Sequence, residues 1–247
     1  MSKMVVMATW EDAPHLTPAQ KDELYSSIPP HQRDARTKGI PQLGSGAIYP
    51  VPESEVLVDD FPIPSYWPVV YALDVGWNRT AALWGAWDRQ SDIVYLWSEY
   101  AKGQAEPAIH AQAVRSRGVW IPGVIDPAAR GRGQKDGEQL LLVYRELGLE
   151  LAPADNSVEA GLYAVWMRLS TGRLKVFRSC QQWLFEYRLY RRDENGKVVK
   201  ENDHLMDDMR YLVMTGLDRA IVEPVDDDDF VLPIKHKQDG RSQVGGY

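Results

Sequence analysis

The stretch VVYALDVGW, residues 69–77, places one carboxylate, that of Asp74, inside an apolar run of the kind that forms a buried strand. An ionised carboxylate is costly to bury, and proteins relieve that cost with a shifted pKa, a partner or a metal ion. We therefore expect a cation beside Asp74. It is either the Lys or Arg of a structural ion pair or a bound metal, and this stretch alone leaves both open.

The composition predicts a soluble intracellular protein. The 247 residues suffice for one large domain or a domain with an appendage, and 44% hydrophobic residues with nine Trp can build a core. The single cysteine, Cys180, excludes an internal disulfide and fits a reducing cytoplasm. No apolar run approaches the ~20 residues of a membrane span, and the opening MSKM begins no recognisable signal peptide. Five His and one Cys form no zinc-like cluster.

The net charge of −7 is unevenly distributed along the chain. Residues 115–200 carry a net charge of +5, so the remainder carries −12. Much of the acidity lies in four consecutive aspartates at 226–229. Because local basic surface is what attracts phosphate, the acidic total does not exclude a nucleic-acid partner.

The first 65 residues differ in amino-acid composition from the rest. We predict a short helix at 17–26 with Thr17 as its N-cap, followed by many Pro and Gly residues that favour an extended connector. The segment GIPQLGSG at 39–46 has the glycine spacing of a phosphate-binding loop but lacks its Lys, so we interpret it as part of the connector. The predicted organisation is a connector at 1–65, a folded domain at 66–218 and an acidic, flexible tail at 219–247.

From residue 69 onward the pattern changes to short strands and helices. Three β-rich runs separated by short turns predict an antiparallel meander, and helical spacings then alternate with strands. The predicted strands lie at 69–77, 80–87, 93–100, 119–125, 149–151 and 174–177, and the predicted helices at 107–117, 134–147, 158–169, 179–190 and 203–214, with a hairpin at 191–200. This order predicts an α/β fold in which a mixed sheet is covered by helices on both faces.

A second acid, Asp126, ends the apolar run IPGVID. A strand that follows a crossover helix normally lies parallel to the earlier strand and near it. Asp74 and Asp126 are therefore expected at neighbouring strand ends, where α/β sheets bind ligands. Alone, Asp126 is equally explained as a turn residue before proline.

The last predicted helix carries a third acidic cluster. At about 100° per residue, Asp203 and Asp207 share one face, while Asp208 turns away from it. A role at the helix N-terminus explains Asp203 fully and Asp207 less well. If acids from two strands and this helix converge, they need cations, and oxygen ligands select Mg²⁺ or Mn²⁺. Two such ions could assist both the attacking and the leaving oxygen of a phosphodiester.

Three motifs, ALDVGWN with Asp74, GVIDPAA with Asp126 and DHLMDDMRY with Asp207, together resemble the nuclease domain of tailed-phage terminase large subunits. The resemblance covers about residues 5–215 and includes TWEDAPH at 9–15, the segment 28–51 and the hairpin segment 186–200. It implies an RNase H-like (RuvC-like) fold and a metal-binding acidic triad. The order and spacing of the motifs are what make the resemblance specific.

Residue by residue, the resemblance implies Asp74, Asp126 and Asp207 as catalytic metal ligands, with Mg²⁺ or Mn²⁺ as cofactor and two ions per site. The family often has a small residue where this chain has Asp208. The identity of the third ligand is therefore open, and Asp203 is the fallback.

The resemblance also implies double-stranded DNA as substrate, cut from concatemers during genome packaging in the cytoplasm of the bacterial host. Basic residues near the acids are candidate DNA contacts: Arg130, Arg132 and Lys135 after Asp126, and Arg188, Arg191, Arg192, Lys197 and Lys200 around the hairpin. Each is also explained as a solubilising surface residue. Trp77 is expected to pack rather than to stack on a base.

Implied partners are the terminase ATPase domain, the small terminase subunit and the portal, with no membrane. The chain departs from the family pattern, since residues 1–65 resemble only the end of the ATPase motor and the link. We therefore expect no ATP hydrolysis, and interpret the chain as an excised nuclease half or a truncated gene product.

Three other hypotheses stay open at this point. A fragment that docks on the motor or portal without cutting is compatible with the sequence. An actin-like nucleotide-binding fold shares the pattern Asp74-x-Gly76-x-x-x-Thr80, but we find no second phosphate loop or adenosine site downstream. A Holliday-junction resolvase is compatible with the fold alone.

Overall fold

The structure, a computed structural model, describes residues 9–10, 15–27, 37, 46–127, 136–193 and 195–224. Its centre is a seven-stranded mixed sheet with the strand order β1-β7-β4-β3-β2-β5-β6. The strands are β1 (Leu57–Val58), β2 (Val69–Asp74), β3 (Thr80–Asp88), β4 (Ile93–Lys102), β5 (Gly123–Ile125), β6 (Leu151–Pro153) and β7 (Leu174–Phe177). The pairs β2–β3 and β3–β4 are antiparallel, and the other four neighbouring pairs are parallel. The α/β fold predicted from the sequence is confirmed.

Helices cover both faces of this sheet. The α-helices of the described residues are α1 (Pro18–Ser27), α2 (Glu53–Val56), α3 (Pro107–Arg115), α4 (Asp136–Glu146), α5 (Val158–Ser170), α6 (Gln181–Leu189) and α7 (His204–Tyr211). Buried residues of α5, α6 and α7 join the core on the sheet face of Val70 and Ala72. Those of α3 and α4 join the opposite core, which contains Tyr71 and Leu73. The apolar composition of β2 thus reflects burial on both faces.

The predicted N-cap of the first helix is confirmed, whereas the last predicted helix is only partly α-helical. Thr17 caps α1, because its hydroxyl accepts a hydrogen bond from the Gln20 N–H at 3.3 Å and Gln20 Oε1 accepts one from the Thr17 N–H at 3.0 Å. The predicted helix at 203–214 is α-helical only to Tyr211. It continues as a π-helix, Leu212–Gly216, and a 3₁₀ turn, Leu217–Arg219.

Part of the predicted connector belongs to the folded domain. Tyr49, Val51 and Val56 are buried in the core, and β1 pairs in parallel with β7. At the other end, Ile221 forms an antiparallel bridge with Val69. The boundaries at 65/66 and 218/219 stay predictions. The segment 39–45 and the aspartates at 226–229 lie outside the described residues.

Within the described part of the chain, no helix is both long and apolar enough to cross a membrane.

Gly123 in β5 is required by the packing of its neighbour strand. A Cβ built at this position would overlap the ring of Tyr71, which is itself buried and lies against Trp84. Gly216, by contrast, has a helical φ of −61°, and a Cβ there would make ordinary contacts of 3.5–3.6 Å with Val70, Leu212 and Val124.

We expect Gly123→Ala to lower the free energy of unfolding by about 1–3 kcal/mol, because the added methyl group must displace a buried aromatic ring. Gly216→Ala is the matched control and is expected to stabilise by about 0.4–1 kcal/mol, since the residue is already helical. Urea unfolding followed by far-ultraviolet circular dichroism measures both. Equal stability of Gly123→Ala and the unmodified protein would contradict this account of β5.

Candidate metal centre

The two predicted strand acids meet at one edge of the sheet. β2 and β5 are parallel neighbours with Leu73 opposite Ile125, so the next residue on each chain is Asp74 or Asp126. Neighbouring strands lie about 4.8 Å apart, and side chains alternate between the two faces. Val70, Ala72 and Val124 face the core that contains α7. Asp74 and Asp126 follow the same alternation, so both are directed to the α7 side.

Helix α7 presents four polar side chains to these acids. On a helix, His204 and Tyr211 lie within about 20° of each other, and Asp207 and Asp208 flank them by about 50° on either side. His204 reaches Asp74, with Nδ1 2.7 Å from Oδ2. The Tyr211 hydroxyl donates to Asp126 Oδ1 at 3.0 Å. Side chains on one face of α7 therefore contact the acids at the ends of both β2 and β5.

The Asp74–His204 pair shows how crowded the charges are. Burial is the largest influence on Asp74 and raises its pKa. The hydrogen bond and the charge of His204 lower this pKa, whereas the charges of Asp126 and Asp207 raise it further. The pKa of His204 is raised chiefly by its hydrogen bond to Asp74. An ion pair normally lowers the pKa of its carboxylate. Here desolvation and neighbouring carboxylates outweigh the single imidazole.

Asp207 is held by two cations of different character. Its Oδ1 accepts from Arg210 Nη2 at 3.1 Å, and its Oδ2 from Lys200 Nζ at 2.8 Å. Arg210 is buried, whereas the Lys200 side chain is 56% exposed. Arg210 also donates to Asn156 Oδ1 at 3.0 Å, and its guanidinium lies 4.6 Å from the centre of the Tyr211 ring. Asn156 thus joins the Asp207 and Asp126 sides of the cluster.

Asp208 turns away from the face of Asp203 and Asp207, as predicted, but it turns into the protein. Its side chain is fully buried, and neither carboxylate oxygen has a hydrogen-bond partner. Burial raises its pKa well above the usual range, and the charges of Asp74 and Glu186 raise it further. Asp208 therefore lies close to Asp74 and Glu186, and the identity of the third ligand stays open.

Glu186 of α6 closes the cluster behind Asp208. It is fully buried, accepts the Leu205 N–H at 2.6 Å and lies 3.3 Å from Arg79 Nη2. Asp203, the fallback ligand, precedes α7 and pairs with Lys200 at 3.0 Å. It therefore lies on the Lys200 side of the cluster.

As they stand, the described residues contain no group of three or more His, Cys, Asp or Glu side chains arranged to hold a metal ion. Asp74, Asp126 and Asp207 each have an internal hydrogen-bond partner. The donor set nevertheless fits a hard cation. It consists of carboxylates from three elements, and the two oxygens of Asp208 lack a partner. The fit therefore requires an ion to replace some of these internal partners.

The predicted DNA contacts divide into described and undescribed residues. Arg130, Arg132 and Lys135 lie outside the described part of the chain. The guanidinium groups of Arg188 and Arg192 form paired hydrogen bonds to Glu53 and Glu159, respectively. The backbone of Arg191 bridges to Ala47.

The structure corrects one expectation about an aromatic residue. We predicted that Trp77 packs, but its side chain is 65% exposed.

Sequence reasoning missed His204, Tyr211 and Asn156. A usable signal existed for the first two, since residues 204, 207, 208 and 211 occupy one side of a helix. Asn156 carries no such signal, because it lies in a loop and reaches the cluster only through tertiary packing.

No profile of a known protein family matches the chain. Among curated proteins, the terminase large subunit of Enterobacteria phage LP7 is 37% identical over 226 residues, which are 87% of this chain and 47% of that protein. The terminase large subunit of Salmonella phage P22 is 37% identical over 220 residues, or 85% and 44% of the two chains. The chain spans about half the length of the curated relatives it matches.

Solved structures agree with these relatives. The nuclease domain of the P22 large terminase matches with a TM-score of 0.67 and 34% identity, over 72% of this chain and 96% of that domain. Two more distant structures share only the fold. They are the SPP1 large terminase nuclease domain with bound Mn (14% identity, TM-score 0.52, 68% and 98% covered) and the phage G20c nuclease with bound Mg (11%, 0.51, 70% and 99%). The chain belongs to the phage terminase large-subunit family, and its mixed sheet with flanking helices is the RNase H-like nuclease domain of that family.

Proposed function

We propose that this protein is a divalent-metal-dependent endonuclease that cuts double-stranded, concatemeric phage DNA during genome packaging. The observation that carries the proposal is the meeting of Asp74 and Asp126, at neighbouring parallel strand ends, with the acidic face of α7. Support also comes from the metal-bound nuclease domains that share the fold.

The ligands in this proposal are Asp74, Asp126 and Asp207, with Asp208 as a further donor from the same helix. Asp203 is the weaker alternative, since it precedes the helix. Oxygen donors favour Mg²⁺ or Mn²⁺, and four carboxylates have enough charge for two ions. When bound, such ions activate water and stabilise charge on the scissile phosphate.

The protein's own groups prepare this centre. His204 Nδ1 is hydrogen-bonded to Asp74, and about a third of the His204 side chain is exposed to solvent. Tyr211 fixes one oxygen of Asp126 by a hydrogen bond. Lys200 neutralises Asp207 in the absence of a metal and is exposed enough to move away.

Basic side chains would hold the DNA backbone around this centre. Arg188, Arg191 and Arg192 lie around the hairpin, and phosphate would replace the carboxylates of Glu53 and Glu159 on Arg188 and Arg192. Arg130, Arg132 and Lys135 are proposed for the same role from the sequence alone. The proposed partners are a terminase ATPase domain, the small terminase subunit and the portal, in the cytoplasm of the bacterial host.

Asp74→Asn should reduce Mn²⁺-dependent cleavage of supercoiled plasmid more than about 100-fold, since it removes a ligand charge. The amide can still bond to His204, so the fold should be retained. Asp59→Asn is the matched control: Asp59 has a 93% exposed side chain, and its replacement removes the same charge far from the centre. Gel electrophoresis of time courses measures both. Cleavage by Asp74→Asn at the unmodified rate, or equal loss in Asp59→Asn, would refute the assignment.

Asp207→Asn is a less clean test of catalysis, because it leaves buried Arg210 without its carboxylate. Removing one partner of a buried ion pair typically destabilises a protein by about 3–5 kcal/mol. Loss of activity in this variant therefore has to be read together with its melting temperature.

Asp208→Asn should raise the melting temperature in EDTA, because it removes a carboxyl group that is buried beside Asp74 and Glu186 without a hydrogen bond. Mn²⁺ at about 100 times its dissociation constant should raise the melting temperature of the unmodified protein by about 5–10 °C. Asp208→Asn should show a smaller rise, and Asp203→Asn one close to that of the unmodified protein. Differential scanning fluorimetry decides, and an undiminished rise in Asp208→Asn removes it from the ligand set.

A further inference from the structure

Trp77 is an exposed aromatic residue beside the acidic centre. Of the nine tryptophans, all within the described residues, Trp77 is the most exposed, at 65%, and Trp166 follows at 37%. Trp77 follows Asp74 by three residues, so their Cα atoms lie within about 11 Å of each other. Along B-form DNA, that distance corresponds to about three base-pair steps.

The loop that carries Trp77 is held firmly. Thr80 Oγ1 accepts the Gly76 N–H at 3.3 Å and donates to the Gly76 carbonyl at 3.0 Å. The Trp77 carbonyl accepts the Gln104 N–H at 2.8 Å. Gln104 adopts a φ of +52°, which is uncommon for a residue other than Gly. Asn78 packs so closely on Gly103 that a Cβ there would overlap its carbonyl oxygen. The indole is therefore presented to solvent by a fixed backbone.

Positive charge accompanies the exposed ring. The Arg79 side chain is 33% exposed and is tied to α6 through Gln182 at 2.6 Å and Glu186 at 3.3 Å. Lys102 ends β4 opposite Thr80, at the same end of the sheet. An exposed aromatic ring with basic residues at the same end of a sheet suits single-stranded nucleic acid, since the ring stacks on a base while the cations attract phosphates.

We propose that Trp77 is a base-stacking residue that holds an unpaired nucleotide next to the cleaved phosphodiester. This inference rests on the proposed action on DNA and adds a preference for sites at which the duplex is locally opened. A single exposed apolar residue is common on protein surfaces. The fixed loop, the basic neighbours and the three-residue separation from Asp74 distinguish Trp77 from that case.

Fluorescence anisotropy in Ca²⁺ measures DNA binding without cleavage. The three labelled probes are a 30-base-pair duplex, the same duplex with three unpaired nucleotides, and a 12-nucleotide single strand. Trp77→Ala should weaken binding to the two unpaired probes by about 5- to 150-fold, the equivalent of losing one stacked base. Trp77→Phe should keep most of the affinity. Binding to the intact duplex should change less than about twofold in either variant.

Tyr66→Ala is the matched control. Tyr66 is 72% exposed and precedes the first residue of β2, whereas Asp74 is its last residue. The substitution therefore removes an exposed aromatic ring far from Asp74. Equal losses in Tyr66→Ala and Trp77→Ala, equal losses on paired and unpaired probes, or no loss in Trp77→Ala would each overturn the inference. The absence of any DNA binding by the unmodified protein would overturn it as well.

A second readout separates this inference from the nuclease assignment. An unpaired 2-aminopurine in the opened duplex should be quenched on binding to the unmodified protein and to Trp77→Phe, but not to Trp77→Ala. If that pattern is seen and plasmid is never cut in Mn²⁺, the stacking role stands and the proposed hydrolysis fails. If plasmid is cut but the quenching is unaffected by Trp77→Ala, the stacking role fails alone.

Discussion

The repulsion among carboxylates at one edge of the sheet is the constraint on which this structure depends. Asp74, Asp126, Asp207, Asp208 and Glu186 influence one another's charge within a largely buried region. Like charges this close cannot all remain ionised without compensation. The compensation comes from three basic side chains. His204 contacts Asp74, and Lys200 and Arg210 contact the two oxygens of Asp207. The position of Arg210 depends on Gly161 in α5, because the aliphatic part of the Arg210 side chain lies where a Cβ of residue 161 would be.

The strand acids could be predicted because their signal is local. Apolar runs that end in Asp74 and Asp126 identify two strand ends, and the crossover rule places parallel strands side by side. The alternation of side chains then directs both acids to the same face, which the pairing of Leu73 with Ile125 bears out. The order of strands and helices is equally a property of local pattern. The short strand β1 has no such pattern, since two residues cannot show a period.

The remainder of the site depends on contacts between distant parts of the chain. The helical pattern places Asp208 off the face of Asp207 correctly, but only the packing of α5, α6 and the sheet around α7 determines that this direction is inward. Asn156 is recruited by a buried arginine rather than by any motif. Trp77 is exposed although its side chain is hydrophobic. Hydrogen bonds from Thr80 and Gln104 fix the backbone of its loop, so the loop does not need the indole to pack.

The two cations on Asp207 are not equivalent, and their difference determines how a metal could enter. Arg210 is buried, bonded to Asn156 and stacked near Tyr211, so moving it would leave several polar groups without partners. Lys200 is a flexible, strongly hydrated ammonium group with a largely exposed side chain, and water can replace its contacts. An ion that binds as proposed would therefore replace Lys200, while Arg210 continues to orient the carboxylate. At Asp207 the proposed metal site therefore displaces Lys200 and keeps the contact with Arg210.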